Sequence, residues 1–193
     1  MLLHESACGD KAHANLCFHK FQIFRLLLLE FGVLVGIGES IKRGHDEYRR
    51  FFAKLFKTTL KDANLREELF LDFQRKLYAH HEAEQLTILP RMTKIPDLKD
   101  LALELEVEHA DMKVHFEALI KEGFDKEIWR YKLVPLHDVM HAHWLKEEET
   151  MIPFGPDYFS KSDWEDFGRK FDEIVEDYLR KHQNNVRIDQ SLH

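Results

Sequence analysis

The stretch His80-His81-Glu82-Ala83-Glu84-Gln85-Leu86-Thr87-Ile88-Leu89-Pro90 returns 63 residues later as His143-Trp144-Leu145-Lys146-Glu147-Glu148-Glu149-Thr150-Met151-Ile152-Pro153, with histidine, glutamate, threonine and proline coinciding. Residues four apart on an α-helix share a face about one turn apart, so His80 with Glu84, and His143 with Glu147, each aim two donors at one point. A second repeat accompanies the first. Ile41, His45, Tyr48, Phe52 and Leu55 correspond, 64 residues on, to Leu105, His109, Met112, Phe116 and Leu119. Both sets step 4, 3, 4, 3, the interior seam of a packed helix, so His45 and His109 should face the core. The two halves read as one helical hairpin written twice.

Working outward, the pattern from residue 39 onward is helical, with no alternating strand segment. The periodicity predicts helices over residues 40–58, 64–89, 98–122 and 126–152. Pro90 and Pro153 should close the second and fourth, because proline cannot continue a helix. Gly123 should end the third, and Pro135 should kink the fourth. Connections this short imply antiparallel neighbours, hence an all-α, up-down-up-down four-helix bundle. An additional C-terminal helix over 162–182 opens with Ser162-Asp163-Trp164-Glu165, a capping-box signature. The register closes as well. About 13 residues follow His45 to the end of its helix and about 16 precede His80 in the next, which sets the two near one level.

Residues 39–183 therefore form the bundle with its extra helix, residues 1–38 an N-terminal extension, and residues 184–193 a tail. The 193-residue length suits one such domain. Residues 21–38 are mostly apolar but carry Arg25 and Glu30, which makes them marginal for a membrane helix of roughly 20 apolar residues. The expected location is the cytoplasm, with membrane anchoring through this segment as the alternative. Cys8 and Cys17 are the only cysteines, so no disulfide framework holds the fold. A net charge of -7, with no cluster of Lys and Arg interleaved with aromatics, argues against a nucleic-acid partner.

Four histidines and two glutamates thus converge inside a low-dielectric bundle. Two buried carboxylates without partners are costly, and like charges at one level raise at least one pKa. A cation removes both penalties. Mixed imidazole and carboxylate donors favour a dinuclear centre over one closed zinc site, with iron the most natural occupant and manganese or zinc left open by spacing alone. The predicted ligands are His45, His80, Glu84, His109, His143 and Glu147. Glu148 is the alternative to Glu147, although alignment with Glu84 favours the latter. His81 points about 100° from His80 and is expected on the surface or behind the ligands. Glu82, His137 and His141 are expected on solvated faces, and His115 is on the wrong face of its helix. Tyr48 should pack, or donate to a bound oxygen species. The pairs His4/Cys8 and His13/Cys17 have helical zinc spacing with nothing else to support them.

These residues carry a resemblance. His45, the His80-x-x-x-Glu84 turn ending at Pro90, His109, and the His143-x-x-x-Glu147 turn ending at Pro153 resemble the hemerythrin-like, or HHE cation-binding, domain over about residues 38–183. The resemblance implies two non-haem iron ions, bridged by Glu84 and Glu147 and capped by the four histidines. It also implies a small diatomic ligand or peroxide as partner. One position departs from the oxygen-carrying hemerythrins, which have a further histidine one turn along the third helix where this chain has Lys113. The loss of a ligand leaves coordination positions for small molecules. It argues for sensing oxygen, nitric oxide or iron, or for an enzyme acting on peroxide, ferrous iron or damaged iron centres, over stable oxygen carriage. Storage of another divalent cation is the plainest alternative. A ferritin-like di-iron bundle needs Glu-x-x-His on two helices, and only Glu106 to His109 has that spacing.

Overall fold

The computed structural model describes residues 36–182. Cys8, Cys17, His4 and His13, most of the apolar stretch 21–38, and the tail 184–193 lie outside the described residues. The chain folds into α1 (Ile37–Leu55), a 3-10 turn (Leu60–Asp62), α2 (Ala63–Leu86), a short α3 (Leu89–Met92), α4 (Pro96–Glu122), α5 (Ile128–Lys146), a π-helical turn (Glu147–Met151), α6 (Ile152–Tyr158) and α7 (Lys161–Lys181). No strand occurs among the described residues. None of the described helices is long and apolar enough to cross a membrane.

α1, α2, α4 and α5 form the four-helix bundle, and the order of their buried residues shows its topology. One apolar cluster is aromatic-rich and includes Tyr48, Phe52, Phe70, Phe73, Phe116, Trp129 and Trp144. The other is mostly aliphatic and includes Ile37, Ile41, Ala83, Leu89, Leu98, Leu105 and Met151, closed by Phe167 and Phe171 of α7. Along α1 and α4 the chain runs from the aliphatic cluster to the aromatic one, and along α2 and α5 it runs back. That alternation is up-down-up-down. On all four helices the predicted donor residues fall where the chain passes from one cluster to the other, so the polar layer lies between two apolar ones. α7 packs across α1 and α2.

Several boundaries differ from expectation, each for a local reason. α1 begins at Ile37 because Ile37 and Ile41 are both fully buried, which assigns residues 37–38 to the bundle. Pro90 and Pro153 do not close helices. Pro90 sits in the first turn of a new one, α3, where its missing N–H has no partner to lose, and Pro153 follows the π-helical turn within a helical run unbroken from Ile128 to Tyr158. α2 instead stops at Leu86, where Thr87 leaves the helical region with φ -115° and ψ -81°. α5 runs through Pro135, which lies on its exposed face. α7 is capped by Ser160, whose hydroxyl accepts from the Asp163 amide at 3.1 Å. Ser160 is an equally good N-cap residue two positions before the predicted Ser162. Gly123 ends α4 at φ +88°, a conformation that favours glycine.

Candidate metal centre

The six sequence-predicted donors meet in the layer between the clusters. His45, Glu84 and Glu147 have no exposed surface, and His80, His109 and His143 are 5% exposed or less. Glu84 spans two helices, with one oxygen 3.0 Å from His80 Nε2 and the other 3.2 Å from His109 Nε2. Glu147 repeats the arrangement, with Oε2 3.0 Å from His45 Nε2 and 3.5 Å from His143 Nε2. Each carboxylate therefore bridges the histidine one turn before it in its own hairpin and a histidine of the other hairpin. Glu148 does not enter the layer. Its carboxylate sits behind His45, 2.8 Å from Nδ1.

Of the two places expected for His81, on the surface or behind the ligands, the surface is excluded. His81 is buried, and its ring lies parallel to that of His109, 3.7 Å between centroids and 6° between planes. The reason is angular. At about 100° per residue, Glu84 projects about 40° round the helix from His80 and His81 about 100° round, so Glu84 lies between them. His80 and His81 straddle the inward direction instead of one facing in and the other out. His80 meets His45 and Phe171, and His81 meets His109 and His143. Donor atoms fall into two groups in which every member lies within 4.8 Å of the others: His81, Glu84, His109 and His143; and His45, His80 and Glu147.

The other candidates stand outside this layer. Glu82 and Lys113 are exposed. His115 approaches Asp111 at 3.9 Å. His137 sets its ring edge-on to Phe52, with exposed His141 beside it. Tyr48 packs against His80, but its hydroxyl donates to the Lys76 carbonyl at 3.1 Å, so it aims no donor at the centre.

Outside the layer, two carboxylates orient two of the rings. Glu148 accepts from His45 Nδ1 and from Arg49 at 2.7 Å. Glu108 accepts from His143 Nδ1 at 2.8 Å and from Lys146. A carboxylate on the far nitrogen fixes the tautomer that presents Nε2 inward and raises its basicity. Gly44 serves His80 differently. A Cβ at this position would stand 2.5 Å from His80 Nδ1, so only glycine lets α1 pass the ring. The π-helical turn begins at Glu147 itself, the kind of local widening often found at functional sites. A mid-helix glycine beside a predicted ligand was a readable signal; the partner carboxylates lie on other helices and left none.

The electrostatics follow. Burial pushes Glu84 up, but His80 and His109 outweigh it and hold the carboxyl well below its ordinary range. Burial pushes His45 down, yet its contacts with Glu147 and Glu148 raise it to about 9. His143 is raised likewise, its burial outweighed by the charge of Glu147 and the hydrogen bond to Glu108. His81 is held well below 6.5 by burial, then by His109, which leaves its imidazole neutral. Glu148 falls to about 2, chiefly through its hydrogen bond with His45.

The fit of these residues to a cation is testable on their hydrogen bonds. The Nε2 atoms of all five histidines and all four oxygens of Glu84 and Glu147 are buried with no hydrogen-bond partner. Their close approaches lack the alignment a hydrogen bond requires. Buried polar atoms are almost always paired, and leaving one unpaired costs about 1–3 kcal/mol. A set of this size, all on atoms that ligate metals and all in one layer, fits cations between them.

Residues 37–154 match the hemerythrin HHE cation-binding domain. Among solved structures, a hemerythrin HHE cation-binding domain-containing protein from Mycobacterium kansasii has the same fold, with a TM-score of 0.71 at 20% identity, covering 80% of this chain and 94% of that one. No curated protein matches the chain.

Proposed function

The chain belongs to the hemerythrin HHE cation-binding domain family, and from that premise we propose that it holds two non-haem iron ions and uses them to bind or sense a small molecule such as oxygen or nitric oxide. His45, His80, Glu84, His109, His143 and Glu147 are the ligands. The observation that carries this reading is the layer of unpartnered Nε2 and carboxylate atoms divided into two adjacent groups. Glu84 and Glu147 each reach histidines on two helices, which suits carboxylates shared between two ions. Imidazole mixed with carboxylate suits iron. The bound ions supply Lewis acidity and redox-active coordination positions.

The protein's own residues set the limits of that chemistry. Complete burial of His45, Glu84 and Glu147 between apolar clusters admits only a very small ligand and keeps out bulk water. Glu148 and Glu108 hold the outer nitrogens of His45 and His143, so those rings present Nε2 to the layer. With the Tyr48 hydroxyl committed to a backbone carbonyl, this residue offers no proton to a ligand. That favours reversible binding over proton-coupled turnover.

The chain should be purified anaerobically, assayed for iron, and exposed in turn to oxygen, nitric oxide and peroxide while spectra are recorded. Two irons per chain are expected, lost in the His80→Ala/Glu147→Ala double variant, with a reversible spectral change and no product. Wild-type protein without iron, or a double variant holding as much as wild type, sinks the metal centre. Repeated consumption of peroxide replaces the binding reading with an enzymatic one.

A further inference from the structure

On the reading that the layer holds two metal ions, we infer that His81 is itself a metal ligand, delivering from α2 the imidazole that Lys113 cannot deliver from α4. The consequence is an asymmetric centre: with Glu84 and Glu147 shared, one position gathers three imidazoles (His81, His109, His143) and the other two (His45, His80).

Four observations converge on His81. Its side chain is buried within a layer composed of metal-ligating groups. Its Nε2 has no hydrogen-bond partner, which is not how a histidine packed for structure alone is normally left. Its donor atom falls within 4.8 Å of donors from Glu84, His109 and His143, which come from three different helices. Its ring is stacked on that of His109, 3.7 Å between centroids and nearly parallel, and so is placed beside a predicted member of the donor set. Lys113, by contrast, lies on the exposed face of α4. The histidine missing from one helix is thus replaced on its neighbour.

The repeat makes the asymmetry sharper. The residue equivalent to His81 in the second half is Trp144, which packs against His45 with ring centroids 5.7 Å apart, where His81 packs against His109. An indole has no lone pair to give a metal. The two positions are therefore unequal by composition, and the three-imidazole position should fill first.

The test uses the full chain, loaded anaerobically with Co2+, whose visible absorption reports both number and coordination of bound ions. His81→Phe keeps an aromatic ring against His109 and removes the donor. Wild type should take up two ions in two separable phases. In His81→Phe the tighter phase should weaken by about 100-fold, the upper end of what even outer-shell partners contribute, with an altered cobalt spectrum. Cobalt-loaded wild type offers a second readout independent of any variant. Five sets of paramagnetically shifted imidazole resonances are expected, and four overturn the inference. If His81→Phe binds two ions with wild-type affinity and spectrum, His81 is a packing residue, and the two-metal reading stands without it. If wild type itself binds no metal, the reading fails and the inference with it.

Discussion

The first half of the bundle, α1 with α2, and the second half, α4 with α5, repeat one pattern of ligands but not of what surrounds them. His45, His80 and Glu84 have equivalents in His109, His143 and Glu147. Behind the ligands the equivalence breaks. Where the second half has Glu108 holding His143, the first has Gly44 under His80. Where it has Glu148 reaching back to His45, the first has exposed Gln85, and His109 Nδ1 is left without a partner. Trp144 stands opposite His81. A duplicated sequence can thus keep a metal-sized layer while its two sides diverge in rigidity, charge and donor count. The difference resides in residues one removed from the ligands.

The strongest way to break the comparison is at its most dissimilar pair. Trp144 is buried in the aromatic cluster, touching His45, Tyr48 and Phe52. Trp144→Ala should cost about 3–5 kcal/mol of stability, as large-to-small core substitutions do. His81→Ala removes a smaller ring whose Nε2 makes no hydrogen bond, so its cost to the metal-free fold should be under half of that. Denaturant melts of the two metal-free variants check both. Equal losses would mean that the two positions are the same kind of packing site after all.

Next in size is a pH effect in which His45 and His81 act in opposite directions. With the folded pKa of His45 near 9 against an ordinary 6.5, its contribution is complete below 6.5 and is lost as pH rises through 9, about 3 kcal/mol at most. His143 adds to the same alkaline loss. His81 is depressed, so the unfolded chain takes up its proton first and stability falls as pH drops below 6.5. Metal-free protein should therefore be most stable near pH 6.5. Bound metal replaces the protons on His45 and His143, so loading should release protons and abolish the alkaline loss. Thermal melts with and without metal from pH 5 to 9 decide it; a metal-free stability that climbs steadily to pH 9 contradicts the assignment.

The repeat made four helices, their antiparallel order and the inward positions of His45, His80, Glu84, His109, His143 and Glu147 readable, because seam spacing and i,i+4 geometry are local rules. His81 was not readable by those rules. Its step from His80 reads as a turn away from the seam only when His80 is taken as the seam's centre; Glu84 marks that centre, and the packing of α2 against α1, α7 and the second hairpin buries both sides of it. Glu108 and Glu148 escaped for a related reason. Each sits beside a ligand in sequence, yet serves a ligand on a different helix, and cross-helix pairing has no signature within one helix. The proline signals were real but ambiguous, since proline both ends one helix and opens the next. The π-helical turn at Glu147 has no composition of its own and joins α5 to α6 without a break.

The finest test sets Gly44 against Glu108, equivalent positions that solve the same problem by opposite means. Glu108 fixes His143 by accepting from its Nδ1, itself held by Lys146. Gly44 fixes His80 by absence, since any Cβ there would collide with the ring. Removing Glu108 leaves the ring in place but free to turn and less basic, so Glu108→Ala should weaken metal binding by about 10-fold, the lower end of outer-shell effects. Gly44→Ala cannot be absorbed by rotation, because the intruding carbon meets Nδ1 and Cε1 together, at 2.5 and 2.8 Å. His80 must swing off the layer or α1 must move from α2, and the loss should reach about 100-fold. The two should also separate by position: Glu108→Ala acts on the group containing His143, and Gly44→Ala on the group containing His80. Cobalt titrations that resolve two binding phases should show each variant weakening a different one. If both weaken the same phase equally, the two donor groups are not independent holders of two ions, and the centre behaves as one unit.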